Sequence, residues 1–470
     1  MTDIDSGLQR IFDLQNAVKD KLACSTVSER RAKLDSLLRV ILKSSDKIEK
    51  AIYLDFKKDP TETRITEIFN VVSEIRYAKR NLSKWMKSQK VSAPITFLGS
   101  SNKTVRVPKG NALIISPWNF PFLLAVSPLV SAVAAGNTVI LKPSETSYNT
   151  AVLLKSFFAN IFPEDEVAVI TGDHSITQEL FKLPFDHILF TGSTNIGKMV
   201  YEAAAKNLTT VTLELGGKSP VVVDQSANLK IAAERIVWGK LLNGGQACVA
   251  ADYVLIDEKL TSSFKELILT SIKKLYGDTN TIQSNNELSR IINKKHFDRL
   301  RHAIEDAVQK GGELLLGGQS NEADLFISPT FILNPPMSSI IMQEEVFGPI
   351  LPLITYSHKE EIFQVIEKNP NPLNIFLFSS DKIFIDEVAK KISCGNIVIN
   401  DIAVHFANPS LSFGGVKTSG IGRTHGYAGF KEFSVEKSIM KQPGLSTVKL
   451  FYPPYTKFVK KAVDFAIKYL

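Results

Sequence analysis

The strongest constraint on the fold is the alternation of short aliphatic runs with helical patterns from Asn111 onward. The short runs are rich in β-branched and aliphatic residues, and stretches with the period of a helix separate them. A strand, a helix and a second strand in series form a βαβ unit, and such units build a parallel sheet. The pattern therefore predicts an α/β fold. The predicted strands are 112–116, 138–141, 167–171, 187–190, 211–215 and 220–223, with helices at 150–160 and 195–207.

A second series of the same kind begins near Glu214 and predicts a second α/β domain. Before the first series, the chain is helical in pattern up to about residue 90, most clearly at 28–43 and 67–85. The glycine-rich stretch 413–429 is expected to be a loop or a linking strand, and 457–470 an amphipathic helix. The second series comprises helices at 229–242, 262–276 and 295–311 and strands at 253–256, 351–354 and 396–399.

Composition excludes several classes of protein. The 470 residues are 44% hydrophobic and 22% charged, as in ordinary globular proteins, and only three are cysteines, so a disulfide scaffold is excluded. The net charge is 56 − 48 = +8, but the basic residues are spread along the chain, which favours a solvated surface or a phosphate-rich cofactor over nucleic acid. No run reaches the ~20 apolar residues of a membrane span, and 122–135 is expected to be a buried helix. The expected location is therefore cytoplasmic.

The segment from His187 to Gly197 combines a predicted strand, a glycine-containing turn and the start of a helix. Backbone N–H groups at such a turn point at an anion. The dinucleotide pattern GxGxxG fails at Thr194, and the phosphate-loop pattern fails at Met199, which has no hydroxyl for Mg²⁺. A pyrophosphate site and a plain turn between strand and helix both remain open.

Two residues are candidates for covalent and acid–base chemistry. Cys248 follows two glycines, Gly244 and Gly245, and is either an activated thiolate or a buried structural thiol. Glu214 lies in an apolar run, where desolvation raises the pKa of a carboxylate towards the range of a general base. Alternatively, Glu214 pairs with Lys218. The seven histidines show no metal-ligand spacing, and no serine-hydrolase elbow is present, so neither a metal nor a nucleophilic serine is expected.

Two further segments follow predicted strands. Asn119 lies in a Ser-Pro-Trp-Asn-Phe-Pro stretch, where its amide either donates to an oxyanion or serves a turn between two prolines. Lys142 and Glu145 come at the end of the next strand. The carboxyl ends of parallel strands are where ligands bind in open α/β sheets.

Taken in order, these segments resemble the aldehyde dehydrogenase superfamily. The stretch 400–407 and the Ser419-Gly-Ile-Gly-Arg423 segment resemble its class 3 branch, which includes fatty and aromatic aldehyde dehydrogenases. The matching motifs span some 300 residues and are Pro117-Trp-Asn-Phe-Pro121, Lys142-Pro-Ser-Glu145, Phe190-Thr-Gly-Ser-Thr194, Glu214-Leu-Gly-Gly-Lys218, Gly245-Gln-Ala-Cys248, Glu344-Glu-Val-Phe-Gly-Pro349 and Ser412-Phe-Gly-Gly-Val-Lys417.

The resemblance implies a Rossmann-type parallel-sheet domain for NAD(P), an α/β catalytic domain and a small bridging and oligomerisation element. The implied bounds are 1–80 with 106–210, 211–408, and 81–105 with 409–440, followed by a tail at 441–470. The implied cofactor is NAD, with NADP accepted to some degree. The implied partners are an aldehyde and a second copy of the chain in a homodimer.

The resemblance also implies a role for each candidate residue. Cys248 would be the nucleophile, Glu214 the general base, and Asn119 an oxyanion donor together with the Cys248 backbone N–H. The cofactor would be held at its adenine ribose, its pyrophosphate and its nicotinamide ribose. The implied cofactor residues are Lys142 and Glu145, then Gly192 and Ser193, then Glu345 and Phe347.

Three other interpretations are weighed against aldehyde oxidation. CoA-acylating relatives generally lack a base at the position of Glu214, so its presence favours hydrolysis of the thioester. A non-catalytic protein on the same fold would have no reason to keep Cys248, Glu214 and Asn119 together. The third is peripheral membrane association through 457–470, which is ~21 Å long as a helix and too short to span a bilayer.

Overall fold

The computed structural model describes residues 3–94, 97, 99–279, 281–444, 448–449 and 452–469. The described chain is mainly helical up to Met86, as its amphipathic patterns predict, and a turn of π-helix at Arg64–Ile68 joins two of the helices. The first five helices are α1 (Asp3–Ala23), α2 (Val27–Lys43), α3 (Ser45–Phe56), α4 (Pro60–Thr63) and α5 (Phe69–Met86).

Strands and helices then alternate, as the sequence predicts. The strands are β1 (Gln89–Val91), β2 (Ser101–Pro108), β3 (Asn111–Ile115), β4 (Thr138–Lys142), β5 (Val167–Val169), β6 (His187–Gly192), β7 (Thr210–Leu215), β8 (Pro220–Val223), β9 (Tyr253–Asp257), β10 (Glu313–Leu316), β11 (Ser320–Asn321), β12 (Phe326–Ile327), β13 (Thr330–Leu333), β14 (Ile350–Tyr356), β15 (Asn374–Phe378), β16 (Asn396–Ile399), β17 (Gly420–Ile421) and β18 (Ser434–Lys441). The later helices are α6 (Leu123–Ala135), α7 (Tyr148–Ala159), α8 (His174–Leu180), α9 (Thr194–Ala205), α10 (Leu229–Leu241), α11 (Thr261–Tyr276), α12 (Lys294–Gln309), α13 (Ile340–Gln343), α14 (Lys359–Glu367), α15 (Lys382–Lys391), α16 (Gly426–Glu432) and α17 (Lys457–Tyr469).

The first large sheet has six strands in the order β17-β7-β6-β3-β4-β5. All neighbours run parallel except β17, which pairs antiparallel with β7. The chain moves outward from β3 to β5 and then returns to the other side of β3 with β6. Ligands of open α/β sheets bind at such a reversal, outside the carboxyl ends of the strands.

The second large sheet has seven strands in the order β10-β13-β14-β9-β8-β15-β16. It is parallel except for β10 at one edge. A third sheet, β1-β2-β18, joins a segment before the first large sheet to one near the end of the chain. These sheets confirm the predicted α/β class with two parallel sheets.

Helix α6 confirms the buried helix expected at 122–135. Eleven of its side chains are buried, and Gly136 ends it in a left-handed conformation. The helix leads directly out of the segment that carries Asn119, so its packing anchors that segment.

The prediction for the glycine-rich stretch 413–429 was incomplete. It contains the short strand β17, but its end forms the first half of helix α16. Gly429 lies on α16 where a Cβ would come within 2.4 Å of the Ser131 hydroxyl of α6. The glycine therefore serves close packing of two helices, which a local loop signal does not reveal.

The predicted helix at 457–470 is α17, and Leu470 lies outside the described residues. None of its described side chains is buried. Within the described ranges, no helix combines the length and the apolar character needed to cross a bilayer.

Candidate active site

A cavity of about 590 Å³ brings together segments of both large sheets. The segment after β3 contributes Asn119, the end of β7 contributes Glu214, and the loop before β9 contributes Cys248. The cavity lies at the reversal between β3 and β6, where the topology predicts a ligand. Three candidate residues that are separated by up to 129 positions therefore meet at one place.

The turn before Cys248 has an unusual backbone. Asn243, Gly244 and Gly245 are all left-handed, with φ of 56°, 63° and 73°. A Cβ at Gly245 would come within 2.2 Å of the Gly348 carbonyl oxygen, so only glycine fits there. The buried Gln246 side chain then donates to the Arg290 carbonyl at 3.0 Å. This turn holds Cys248 at the cavity wall.

Hydrogen bonds fix the Asn119 side chain against the Cys248 turn. Its Nδ2 donates to the Gln246 carbonyl at 3.0 Å, which uses one of the two amide hydrogens. Asn243 Nδ2 donates to the Asn119 carbonyl at 2.8 Å and to the Gln246 carbonyl at 3.1 Å. The Asn119 segment and the Cys248 turn are thus bound to each other, and one hydrogen of the Asn119 amide remains for a ligand in the cavity.

Two buried carboxylates support this arrangement from the N-terminal helices. Glu67 accepts the backbone N–H groups of Phe122 and Leu123, at 2.9 and 3.1 Å, and pairs with the buried Lys58 at 3.0 Å. Glu62 accepts the backbone N–H of Asn243 at 2.7 Å. The π-helical turn Arg64–Ile68 contains Glu67 and begins two residues after Glu62, and such turns are frequent at functional sites.

Burial keeps the Cys248 thiol protonated in the free protein. Desolvation, reinforced by the charges of Glu345 and Glu214, raises the pKa of Cys248 to about 12. The surroundings therefore do not create a resident thiolate, and the thiol has to give up its proton when substrate is attacked. The sequence alone left an activated thiolate and a structural thiol open, and the cavity position favours a reactive thiol that is activated within the complex.

Glu214 is not paired with Lys218. The Lys218 ammonium instead contacts Asp252 and the carbonyls of Ile341 and Glu344. Glu214 Oε1 accepts from the Thr424 hydroxyl at 3.1 Å, and burial raises the pKa of Glu214 to about 8. A carboxyl with that pKa is suited to take a proton near neutral pH.

The cofactor candidates divide between the cavity and the neighbouring strand end. Gly192 ends β6, and Ser193 caps α9 by accepting from the Ile196 N–H at 3.5 Å. Both residues line the cavity, next to the free N–H groups of the helix. Lys142 and Glu145 form an ion pair of 2.6 Å at the end of β4.

Glu345 and Phe347 close the opposite side of the cavity. Phe347 has φ of 48° and its ring lies 5.4 Å from the ring of Trp118. A Cβ at Gly216 would come within 2.0 Å of Glu345 Oε2, so the Glu345 carboxylate lies directly against the backbone of this glycine. A helix N-terminus, a glycine floor and flanking aromatic rings are the surroundings that a dinucleotide requires, so these residues fit a nicotinamide cofactor.

Comparison with known proteins decides the family. A family model described as the aldehyde dehydrogenase family matches residues 8–439. The chain belongs to the aldehyde dehydrogenase family. It is therefore an aldehyde dehydrogenase that works with a nicotinamide cofactor, as the sequence motifs predicted.

Relatives confirm the class 3 branch of the aldehyde dehydrogenases. The chain is 38% identical over 458 residues to aldehyde dehydrogenase family 3 member B1 of Rattus norvegicus, covering 97% of this chain and 96% of that one. It is 40% identical over 437 residues to the 4,4'-diaponeurosporen-aldehyde dehydrogenase of Staphylococcus aureus, covering 92% and 94%. A solved structure described as the substrate-bound state of Staphylococcus aureus AldH matches with a TM-score of 0.93 at 39% identity, covering 97% and 99%.

Several residues of this aldehyde dehydrogenase site carry no local sequence signal. Thr424 meets Glu214 from 210 positions away, and Glu62 and Glu67 lie in an ordinary amphipathic helical pattern. The Asn-Gly-Gly sequence before Gln246 was a usable signal, since such sequences favour left-handed backbone. The aromatic rings of Phe406, Phe413 and His425, which also line the cavity, gave none.

Proposed function

We propose that this aldehyde dehydrogenase oxidises its substrate to the carboxylic acid through a thioester on Cys248. The observation that supports this most directly is the convergence of Cys248, Glu214 and Asn119 on one cavity. Cys248 Sγ loses its proton and attacks the aldehyde carbon, which gives a thiohemiacetal. Asn119 and the Cys248 backbone N–H hold its oxyanion, and one such donor is worth ~3–4 kcal/mol in comparable sites.

The second half of the reaction is assigned to Glu214. A bound nicotinamide would supply the acceptor for the hydride that leaves the substrate carbon. Once the substrate carbon has lost that hydride, Cys248 carries a thioester. Glu214 takes a proton from water as the water oxygen bonds to the thioester carbon. The carbon–sulfur bond then breaks with the Cys248 thiolate as the leaving group, and the acid product gives its proton to that thiolate, which releases the carboxylate and restores the thiol. A buried carboxyl with its pKa near 8 suits this role, and it argues against a CoA-acylating reaction, in which no such base is needed.

We propose a long-chain aliphatic or aromatic aldehyde as the substrate. One side of the cavity is apolar and aromatic, with Leu124, Phe406, Phe413 and Phe433 in its wall. The Staphylococcus aureus relative is named as the dehydrogenase of 4,4'-diaponeurosporen-aldehyde. Rates of NADH formation across aldehydes of increasing length, each with and without CoA, test this assignment. A kcat/KM that does not rise from acetaldehyde to decanal or benzaldehyde, or an absolute need for CoA, contradicts it.

We propose that NAD is preferred over NADP because of Glu145. This half-exposed carboxylate, placed at the adenine ribose, accepts hydrogen bonds from ribose hydroxyls and repels a 2′-phosphate, while its partner Lys142 moderates the repulsion. Glu145→Gln should raise the NADP/NAD ratio of kcat/KM about tenfold, equivalent to ~1.4 kcal/mol. Glu179→Gln, which removes a carboxylate from another i,i+3 pair with lysine, serves as the control. A wild-type enzyme that is faster with NADP than with NAD contradicts the proposal.

We propose that two copies form a homodimer through sheet edges. Among the described strands, β16 and β18 each have one unpaired side, and Val435, Ile439 and Met440 of β18 are exposed. Exposed edge strands with apolar residues are ready to pair with another chain. The domain bounds that go with this proposal are 1–80 and 106–210 for the cofactor, 211–408 for the nucleophile, and 81–105 with 409–440 for the dimer contact. The six-stranded sheet extends beyond the first of these, because β7 ends at Leu215 and β17 lies at 420–421. Sedimentation at the monomer mass across micromolar concentrations contradicts the proposed homodimer.

We propose that α17 gives the cytoplasmic enzyme a peripheral contact with anionic membranes. Phe458 and Phe465 are two turns apart and 70% and 61% exposed, and the same helix carries Lys457, Lys460, Lys461 and Lys468. An apolar face beside basic residues is typical of helices that lie in a bilayer interface. The F458E/F465E double variant should lose sedimentation with phosphatidylserine vesicles and keep its turnover of a short, soluble aldehyde. Vesicle binding equal to that of the wild type, or equal loss of short-chain turnover, contradicts the proposal.

A further inference from the structure

The cavity is lined by a further carboxylate, Glu432, for which the proposed mechanism has no use. Glu432 ends helix α16 and lines the cavity together with Glu214 and Cys248. Its Oε2 accepts from the Thr212 hydroxyl at 2.9 Å, and its Oε1 accepts from the backbone N–H of Arg423 at 3.3 Å. The carboxylate is thus held in place by two donors while it faces the cavity.

Strand β7 and the segment 423–424 hold both Glu432 and Glu214 in place. Thr212 and Glu214 lie two residues apart on one face of β7, about 7 Å from each other along the strand. Arg423 and its neighbour Thr424 contact Glu432 and Glu214 respectively. The two carboxyl groups therefore face the same cavity, and the charge of Glu432 contributes to the raised pKa of Glu214.

Glu214 has a free site for such a bridge. Its side chain is only 7% exposed, and no donor among the described residues reaches its Oε2. Buried carboxylate oxygens are rarely left without a partner, because their desolvation is costly. Oε1 is already used by Thr424, so Oε2 is the atom available for proton exchange.

A row of donors holds Glu432 as an acceptor. The Lys109 ammonium lies 3.1 Å from Nδ1 of the buried His187 and can only donate, so this nitrogen accepts. Burial and the Lys109 charge lower the pKa of His187, so its ring is neutral and carries its hydrogen on Nε2. Nε2 then donates to the Thr212 hydroxyl oxygen at 3.2 Å, and Thr212 donates to Glu432, whose side chain is partly exposed to solvent.

We propose that Glu432 relays the proton that Glu214 takes from the hydrolytic water, and so resets the base for the next turnover. The inference rests on the proposed role of Glu214. Protonated Glu214 releases its proton through one bridging water to the Glu432 carboxylate. Glu432 then gives the proton to solvent water at its partly exposed carboxyl group. Glu214 and Glu432 each accept one proton and give one up, so both return to their starting states.

In the proposed relay, Glu432 touches neither substrate nor cofactor. Loss of its carboxylate should therefore slow only the hydrolysis that releases the acyl group from Cys248. Rapid-quench measurement of acyl-enzyme decay on Cys248 isolates that step. Glu432→Gln keeps the shape and the hydrogen bond from Thr212 but cannot carry the proton as a base. We expect decay of the acyl-enzyme to slow about 10- to 100-fold, within the range of general acid–base effects. The NADH burst should keep its rate, and small diffusible bases such as imidazole should restore much of the decay rate.

Two further variants complete the test. Thr212→Val removes the hydroxyl that holds Glu432 Oε2, with little change of volume, and we expect a smaller slowing of the same step. Glu436→Gln, at an exposed carboxylate of β18 that pairs with Arg106, is the matched control and should behave as the wild type.

The outcomes separate this inference from the proposed function. If Glu432→Gln decays at the wild-type rate, or slows without rescue by imidazole and with a slower burst, the relay is wrong. If Glu214→Gln is also as fast as the wild type in acyl-enzyme decay, the assignment of the base is wrong as well. Slow decay in Glu214→Gln with normal decay in Glu432→Gln overturns the relay alone.

Discussion

Replacing Cys248 by alanine should abolish aldehyde oxidation while leaving cofactor binding intact. The thiol is the single described nucleophile on the cavity wall between Asn119 and Glu214, and without it neither the thiohemiacetal nor the thioester can form. We expect kcat to fall by at least ~10³-fold, since loss of a nucleophile in comparable enzymes costs as much or more. Steady-state NADH formation measures the loss, and quenching of protein fluorescence by NADH measures cofactor binding.

Cys394→Ala is the matched control for this experiment. Cys394 is also partly buried, and burial raises the pKa of its thiol to about 11, but it lies outside the residues that line the cavity. The control variant should retain wild-type turnover. Substantial turnover by Cys248→Ala, or an equal loss in Cys394→Ala, would show that Cys248 is not the nucleophile.

Replacing Glu214 by glutamine should separate the two halves of the reaction. Glutamine keeps the size of the side chain and its hydrogen bond from Thr424, but it cannot take a proton from water. The first turnover should therefore proceed and give a burst of about one NADH per active site, after which turnover should slow by ~10²-fold or more. Stopped-flow absorbance at the NADH band distinguishes the burst from the steady rate.

The same variant should change the pH dependence. A base acts in its deprotonated form, and burial raises the pKa of Glu214 to about 8, so hydrolysis by the wild type should rise with pH through that value. Glu214→Gln should lose this rise. Glu74→Gln provides a control, because Glu74 is another buried carboxyl whose pKa is raised to about 7, and it hydrogen-bonds the Gly426 N–H instead of facing Cys248. An unchanged steady rate and pH profile in Glu214→Gln would exclude it as the base.

The strand and helix order could be predicted because its causes are local. Each predicted strand and helix between 112 and 223 is present, with ends shifted by at most two residues, because the period of apolar residues is set by the geometry of the element itself. The Cys248 turn was also visible, because two successive glycines mark a backbone that few other residues tolerate. The resemblance to aldehyde dehydrogenases rested on several such segments in order.

The tertiary structure decided the partners and the proton affinities. The sequence left Glu214 with Lys218 as a neighbour four positions away, but the chain carries Lys218 to Asp252 and brings Thr424 to Glu214 instead. Contacts between residues 34 or 210 positions apart depend on how sheets and helices pack, so they cannot be predicted from the local periodicity of the sequence.

The same reason explains the thiol. From sequence alone Cys248 had two open interpretations, since the pKa of a thiol depends on what surrounds it and on how much water reaches it. Only the folded chain buries it beside Glu345 and Glu214 and so raises its pKa to about 12. The sequence by itself therefore determined which chemical groups are available and the order of the strands and helices that carry them. Packing decided which of these groups meet and which protonation state each has before substrate binds.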